Sequence, residues 1–141
     1  RYEGKRMSHF EKMDVWRKAH ELTLRTYEIT AKFPKHELFG LAIQMRRSSS
    51  SIGCNIAEGL GRRSDRELVR FLRIATGSCN ELEYQLRLAR DLNYVLQAEY
   101  EELRHSSDEV GRMLTGFSER VRSRIINTGK GVNSSYLAPR T

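Results

Sequence analysis

Arginine is the residue whose spacing in this chain most clearly suggests chemistry. Arg62, Arg63, Arg66, Arg70 and Arg73 fall within twelve residues, and Arg120, Arg122 and Arg124 form a second group. Positions 66, 70 and 73 follow i, i+4, i+7, so on a helix they share one face. Guanidinium groups bind phosphate oxygens in bidentate fashion, and each neutralised phosphate releases counterions. Several together therefore support salt-sensitive backbone binding without base readout. A plainer reading has arginines at a helix C-terminus complementing its dipole, with Arg66 and Arg70 pairing with Asp65 and Glu67 on a solvated face.

A second constellation is polar rather than basic. Gln44, Arg47, Asn55 and Glu58, followed later by Ser78, Glu81 and Gln85, stand in stretches that otherwise carry apolar residues at helical spacing. If buried, they must satisfy one another, because an unpaired buried polar group costs about 1–3 kcal/mol. Such a network fixes register between helices or subunits. An enzyme built on Arg47, Asn55 and Glu58 would need an accessible pocket. The four serines 48–51 compete for backbone partners, yet they let a neighbouring helix come close.

Patterns for catalysis and metal binding are incomplete. Gly59-x-Gly61 lacks the third glycine and the preceding strand of a dinucleotide loop, and Thr128-Gly129-Lys130-Gly131 lacks the rest of a phosphate loop. His9, His20, His36 and His105 have no i, i+4 partner and no ligand spacing with Cys54 and Cys79. Glu81 with Glu83, and Glu101 with Glu102, lack the Glu-x-x-His motif of a di-iron bundle. No cofactor and no metal are expected, and no enzymatic activity.

The elements that must carry these residues are helices. The chain has 141 residues and 16.4 kDa, with 38% apolar and 30% charged residues, which suits one compact domain with a modest core. No apolar run reaches the roughly 20 residues that cross a bilayer, and the N-terminus lacks the apolar core of a signal peptide, so the cytoplasm is the expected location. Residues 1–6 are given no role, and Met7 is the expected start. Apolar positions step by 4 and 3 along four segments, the signature of helices packed side by side. The series are Val15, Ala19, Leu22, Thr26, Ile29, Phe33; then Leu38, Ala42, Met45, Ser49, Ile52, Ile56, Leu60. They continue as Leu68, Leu72, Ala75, Cys79, Leu82, Leu86, Ala89, and then Leu96, Tyr100, Leu103, Ser107, Val110, Leu114, Phe117, Val121, Ile125.

The expected fold is thus all-α, an up-and-down antiparallel four-helix bundle over 14–126, with helices at 14–33, 36–61, 64–93 and 97–126. A flexible segment 1–13 precedes it and a disordered tail 127–141 follows. Ser64 with Glu67 three residues later reads as a capping box. Cys54 and Cys79 would sit at heights differing by about 13 Å on adjacent helices, too far for a disulfide, so both are expected to be free buried thiols.

The third helix carries a second apolar seam: Phe71, Ile74, Ser78, Gln85, Leu88 and Leu92. Together with Trp16, Tyr27 and Tyr84 it exceeds what a small bundle can bury, which points to self-association; alternatively the seam only widens the core-facing stripe. The net charge of +7 favours an anionic partner. Antiparallel topology places alternate helix ends at the same pole. The pole around the 61–63 connection then sums to +10 and the opposite pole to −3.

The strings Val15-Trp16, Lys18-Ala19, Phe33-Pro34, Gly40-Leu41, Gln44-Met45-Arg46-Arg47, Ser51-Ile52 and Asn55-Ile56-Ala57-Glu58-Gly59 resemble a known family. So do Arg70-Phe71-Leu72, Ile74-Ala75, Gly77-Ser78, Glu81-Leu82-Glu83 and Gln85-Leu86 further on. The resemblance, from Val15 to about Phe117, is to the bacterial four-helix bundle proteins encoded in intervening sequences of 23S ribosomal RNA genes. It implies a left-handed bundle assembling into a ring, commonly a homopentamer, with no assigned enzymatic activity and nucleic acid as the expected ligand. The accessory variability determinant of diversity-generating retroelements is a relative of that fold, a basic pentamer that joins a reverse transcriptase. Two functions follow: an oligomer binding RNA or DNA at its arginine-rich pole, or an adaptor docking a larger nucleic-acid enzyme.

Overall fold

The computed structural model describes residues 13–129. Four helices account for nearly all of them: α1 (Asp14–Thr30), α2 (Leu41–Leu60), α3 (Asp65–Asp91) and α4 (Gln97–Gly129), with a short 3-10 turn at Lys35–Glu37 between α1 and α2. Among the described residues there is no strand. Each helix packs on its chain neighbours, and α1 closes the bundle against α4.

Residue pairs across the seams establish the antiparallel course. Lys18 pairs with Glu109, Arg25 with Glu102 and Lys32 with Glu99, so numbers rise along α1 as they fall along α4. These three cations recur every seven residues, a ladder that ties the two helices furthest apart in sequence. The Ser51 and Ser78 hydroxyls meet at 2.8 Å between α2 and α3, and the Cys79 thiol lies 3.3 Å from the Ser107 carbonyl between α3 and α4. The heptad positions form the core: Ala19, Met45, Ile52, Ile56, Leu72, Ala75, Leu82, Leu86, Leu103, Leu114 and Val121 are fully buried.

The helix ends differ from the expected boundaries for local reasons. The first helix stops at Thr30 rather than 33. Lys32 and Phe33 donate to carbonyls three residues back, and Pro34 disfavours helix at Phe33. The second begins at Leu41 rather than 36, because the Glu37 carboxylate turns back to accept the Leu41 N–H at 3.0 Å. Gly40 makes room for it; a Cβ there would stand 2.6 Å from Glu37 Oε1. Leu38 is therefore exposed, and so is Leu96, which precedes α4. Ser64 caps α3 by accepting the Glu67 N–H, as the sequence suggested. The helix ends in a Schellman motif, with Asn93 left-handed at φ 63° and the Tyr94 N–H bonded to the Ala89 carbonyl. The last helix runs on to Gly129, so residues 127–129 of the expected tail are helical. The segment 1–12 and the rest of that tail, 130–141, lie outside the described residues.

Two further expectations need correction. Both cysteines are free, but only Cys79 is buried; Cys54 falls between the inward positions Ile52 and Ile56 and is exposed. Burial pushes the Cys79 thiol pKa up. The second seam on α3 is split: Phe71, Ser78 and Gln85 are buried, Leu88 is half-buried, and Ile74 and Leu92 remain exposed.

Candidate nucleic-acid interface

The arginine-rich end is built by the α2–α3 connection. Gly61 closes α2, donating its N–H to the Ala57 and Glu58 carbonyls, and Ser64 opens α3 three residues later. Leu68, Leu72 and Ala75 turn into the core, which leaves Arg66, Arg70 and Arg73 on the outer side of α3. Together with Arg62 and Arg63, all five are exposed.

Phe71 organises two of them. The Arg62 guanidinium lies 4.8 Å and that of Arg70 4.6 Å from its ring centroid, both within cation–π range. The ring is held because α2 and α3 approach closely at Gly59, where a Cβ would stand 2.9 Å from Leu68 Cδ1 and 3.0 Å from Phe71 Cβ. Gly59 thus lets the Arg62 connection pass beside Phe71. Sequence reasoning placed Phe71 only in an apolar seam; its adjacency to Arg70 was the available signal.

Three carboxylates of this end are already engaged. Arg62 pairs with Glu58 at 2.6 Å and Arg70 with Glu67 at 3.3 Å, each within one turn of helix. The Arg124 to Asp65 pair, at 3.1 Å, crosses from α4 to α3 and brings the second arginine group to the same end. Its hydrogen bond to Asp65 raises the Arg124 pKa. Exposed pairs of this kind are worth about 0–1 kcal/mol, so a phosphate can displace the carboxylates at small cost. Among the described residues Arg63, Arg73, Arg120 and Arg122 form no ion pair; Arg120 lies over the Phe117 ring at 5.8 Å, and Arg122 is half-buried.

The polar constellation is not the buried network expected. Gln44, Arg47, Glu58 and Glu81 are exposed and Asn55 is half-buried; only Ser78 and Gln85 are buried. The inward heptad positions, Met45, Ser49, Ile52 and Ile56 on α2 with Ala75, Cys79, Leu82 and Leu86 on α3, leave these side chains along the outside of the α2–α3 seam. What remains of a network is small. Asn55 donates to the Ser51 carbonyl at 2.8 Å, and Ser51 meets Ser78. Among the described residues, Gln85 Oε1 is the one buried side-chain polar atom without a hydrogen-bond partner.

The opposite end is acidic and tied across helices. Glu99 accepts from Lys32, just beyond α1, and from the Leu96 N–H at the start of α4, and these contacts hold its carboxyl below the usual carboxylate range. Glu102 is lowered by its hydrogen bonds from Arg25, at 2.7 and 3.0 Å. Glu37 is lowered by the Leu41 N–H and by the Tyr94 hydroxyl, which donates to it at 2.8 Å.

Fold and surface together define an all-α protein, one antiparallel four-helix bundle with arginines clustered at one end and carboxylates at the other. The chain belongs to the 23S rRNA-intervening sequence protein family, which matches it over residues 11–116. Among solved structures it is similar to a protein of unknown function from the S23 ribosomal protein family of Bacteroides thetaiotaomicron, at 28% sequence identity and a TM-score of 0.70. That similarity covers 74% of this chain and 95% of the other. No curated protein matches the chain. Among the described residues no helix is long and apolar enough to cross a membrane.

Proposed function

We propose that this protein is a non-enzymatic, oligomeric binder of RNA or DNA backbone, acting in the cytoplasm through its arginine-rich end. One observation carries the reading: five exposed arginines surround the α2–α3 turn, and two of them are set on a single phenyl ring whose position is fixed by helix packing. Oriented guanidiniums lose less freedom on meeting phosphate than unsupported ones. Ile74 and Leu92, exposed at 41% and 44%, support self-association. A ring, a homopentamer by family likeness, would repeat the patch and raise avidity without any new type of contact.

The test is charge reversal. Arg62→Glu, Arg63→Glu and Arg66→Glu combined should weaken binding of labelled RNA and DNA by more than about a hundredfold at low salt. Helical content by circular dichroism should not change. Undiminished affinity in the folded variant would remove the reading.

A second reading, an adaptor docking a larger nucleic-acid enzyme such as a reverse transcriptase, is favoured by the other end. Leu38, Phe39, Leu92 and Leu96 are exposed there, Phe39 at 87%. A partner recovered by this protein after nuclease treatment, and lost on Phe39→Asp, would support it.

A further inference from the structure

The face formed by α1 and α2 carries aromatic rings beside cations. Trp16 rests its Nε1 edge against Gly53, where an added Cβ would stand 3.3 Å away. His20 stacks on Trp16, with centroids 4.9 Å apart and planes within 9°. His20 itself is exposed, so the imidazole is the outer step of a stack founded on α2. Two turns further along the same side of α1, Tyr27 is 44% exposed. Arg46 of α2 lies 4.9 Å from its centroid, and the Arg46 Nε donates to Thr30 Oγ1 at 2.9 Å, which fixes the guanidinium.

The charge of this face is one-sided. Residues 41–57 of α2 contain no carboxylate, and Arg46 is the cation they place against α1. Glu21 and Glu28 of α1 line the groove towards α4, whose edge Tyr27 also forms, and Glu28 and Asp14 are paired with Arg25 and Arg17. Exposed rings beside a fixed guanidinium, on a stretch of α2 without carboxylates, match a polyanion that offers aromatic faces. A duplex keeps its bases stacked internally, whereas a single strand can turn them onto protein rings.

We infer that the α1–α2 face is a stacking platform for unpaired bases of a single-stranded nucleic acid, with His20 on Trp16 as one step, Tyr27 as another, and Arg46 beside the backbone. This rests on the nucleic-acid reading above and adds the class of ligand.

Trp16 is the only tryptophan in the chain, so its emission reports on this stack alone. The full-length protein is titrated at low salt with fluorescently labelled oligodeoxythymidylate, which lacks secondary structure, and with a labelled DNA duplex of equal length. Label anisotropy gives the affinity. The single strand should alter Trp16 emission, and the duplex should not. His20→Ala, a change at an exposed helical site, should lower single-strand affinity about tenfold, the order of one base–ring stack, and leave duplex affinity unchanged. Single-strand binding with unaltered emission would overturn the inference. So would equal affinities of the variant and the parent protein, or emission that responds only to protein concentration, the mark of a contact between copies. Those results leave the arginine reading standing; absence of binding to either nucleic acid defeats both.

Discussion

The two ends of the bundle use the same kinds of charged residue for different work. At the acidic end, cations reach across a seam: Arg25 on α1 and Lys32 in the turn after it hold Glu102 and Glu99 on α4. At the basic end only Arg124, paired with Asp65, reaches across helices among the described residues; Arg62 and Arg70 find carboxylates one turn away on their own stretch of chain, and Arg63 and Arg73 have none. A pair spanning two helices is spent on the fold. A pair within one turn adds a few tenths of a kcal/mol and leaves the cation available to an outside anion.

The strongest way to break this contrast is to reverse charge at each end. The Arg62, Arg63 and Arg66 reversal should abolish most nucleic-acid affinity while leaving the unfolding midpoint in guanidinium chloride nearly unchanged. Arg25→Glu with Lys32→Glu should do the opposite, lowering the midpoint and leaving duplex affinity within about twofold, since these residues lie far from the arginine patch. Equal effects of the two variants on binding would mean that net charge, not its placement, governs affinity.

A smaller effect is expected where the basic end is shaped. Gly59→Ala puts a methyl group against Leu68 and the Phe71 Cβ, and overpacking of this kind costs about 1–3 kcal/mol. Because Phe71 carries Arg62 and Arg70, affinity should also fall under conditions where the variant remains folded. Unfolding curves and binding measured on the same sample separate the two effects.

The smallest effect concerns acid. Glu99, Glu102 and Glu37 all have pKa values lowered in the folded state. Their contribution is therefore present above the unfolded carboxylate pKa and is lost as pH falls from there through the lower folded values. Glu99→Gln should make the fall in stability over that window shallower. An unaltered slope would show that the cross-seam ladder contributes little.

Much of the fold was legible because heptad spacing is a packing statement: the inward positions from Ala42 to Ile56 and from Leu68 to Ala89 are buried as their spacing required. The ends were less legible. Leu38 and Leu96 continue the apolar series on paper, yet side-chain caps from Glu37 and Glu99 set where α2 and α4 begin. The arginines of the site were visible as a cluster, and antiparallel topology brought Arg124 beside Asp65. Phe71 as their support was not visible, since a ring's contact with the side chain of Arg62 depends on how closely α2 approaches at Gly59. The polar constellation was misread for a related reason. Their place among apolar residues suggested burial for Gln44, Arg47, Glu58 and Glu81, but their angular position on the helices places them outside.

The most direct measurement is the salt dependence of nucleic-acid affinity, compared between the parent protein and the Arg62, Arg63, Arg66 variant. The logarithm of the association constant should fall linearly with the logarithm of salt concentration in the parent protein. In the variant the line should be markedly less steep, by about 0.7–0.9 in slope for each phosphate that the protein no longer neutralises. Parallel lines for the two proteins, or a flat line for the parent, would contradict the account.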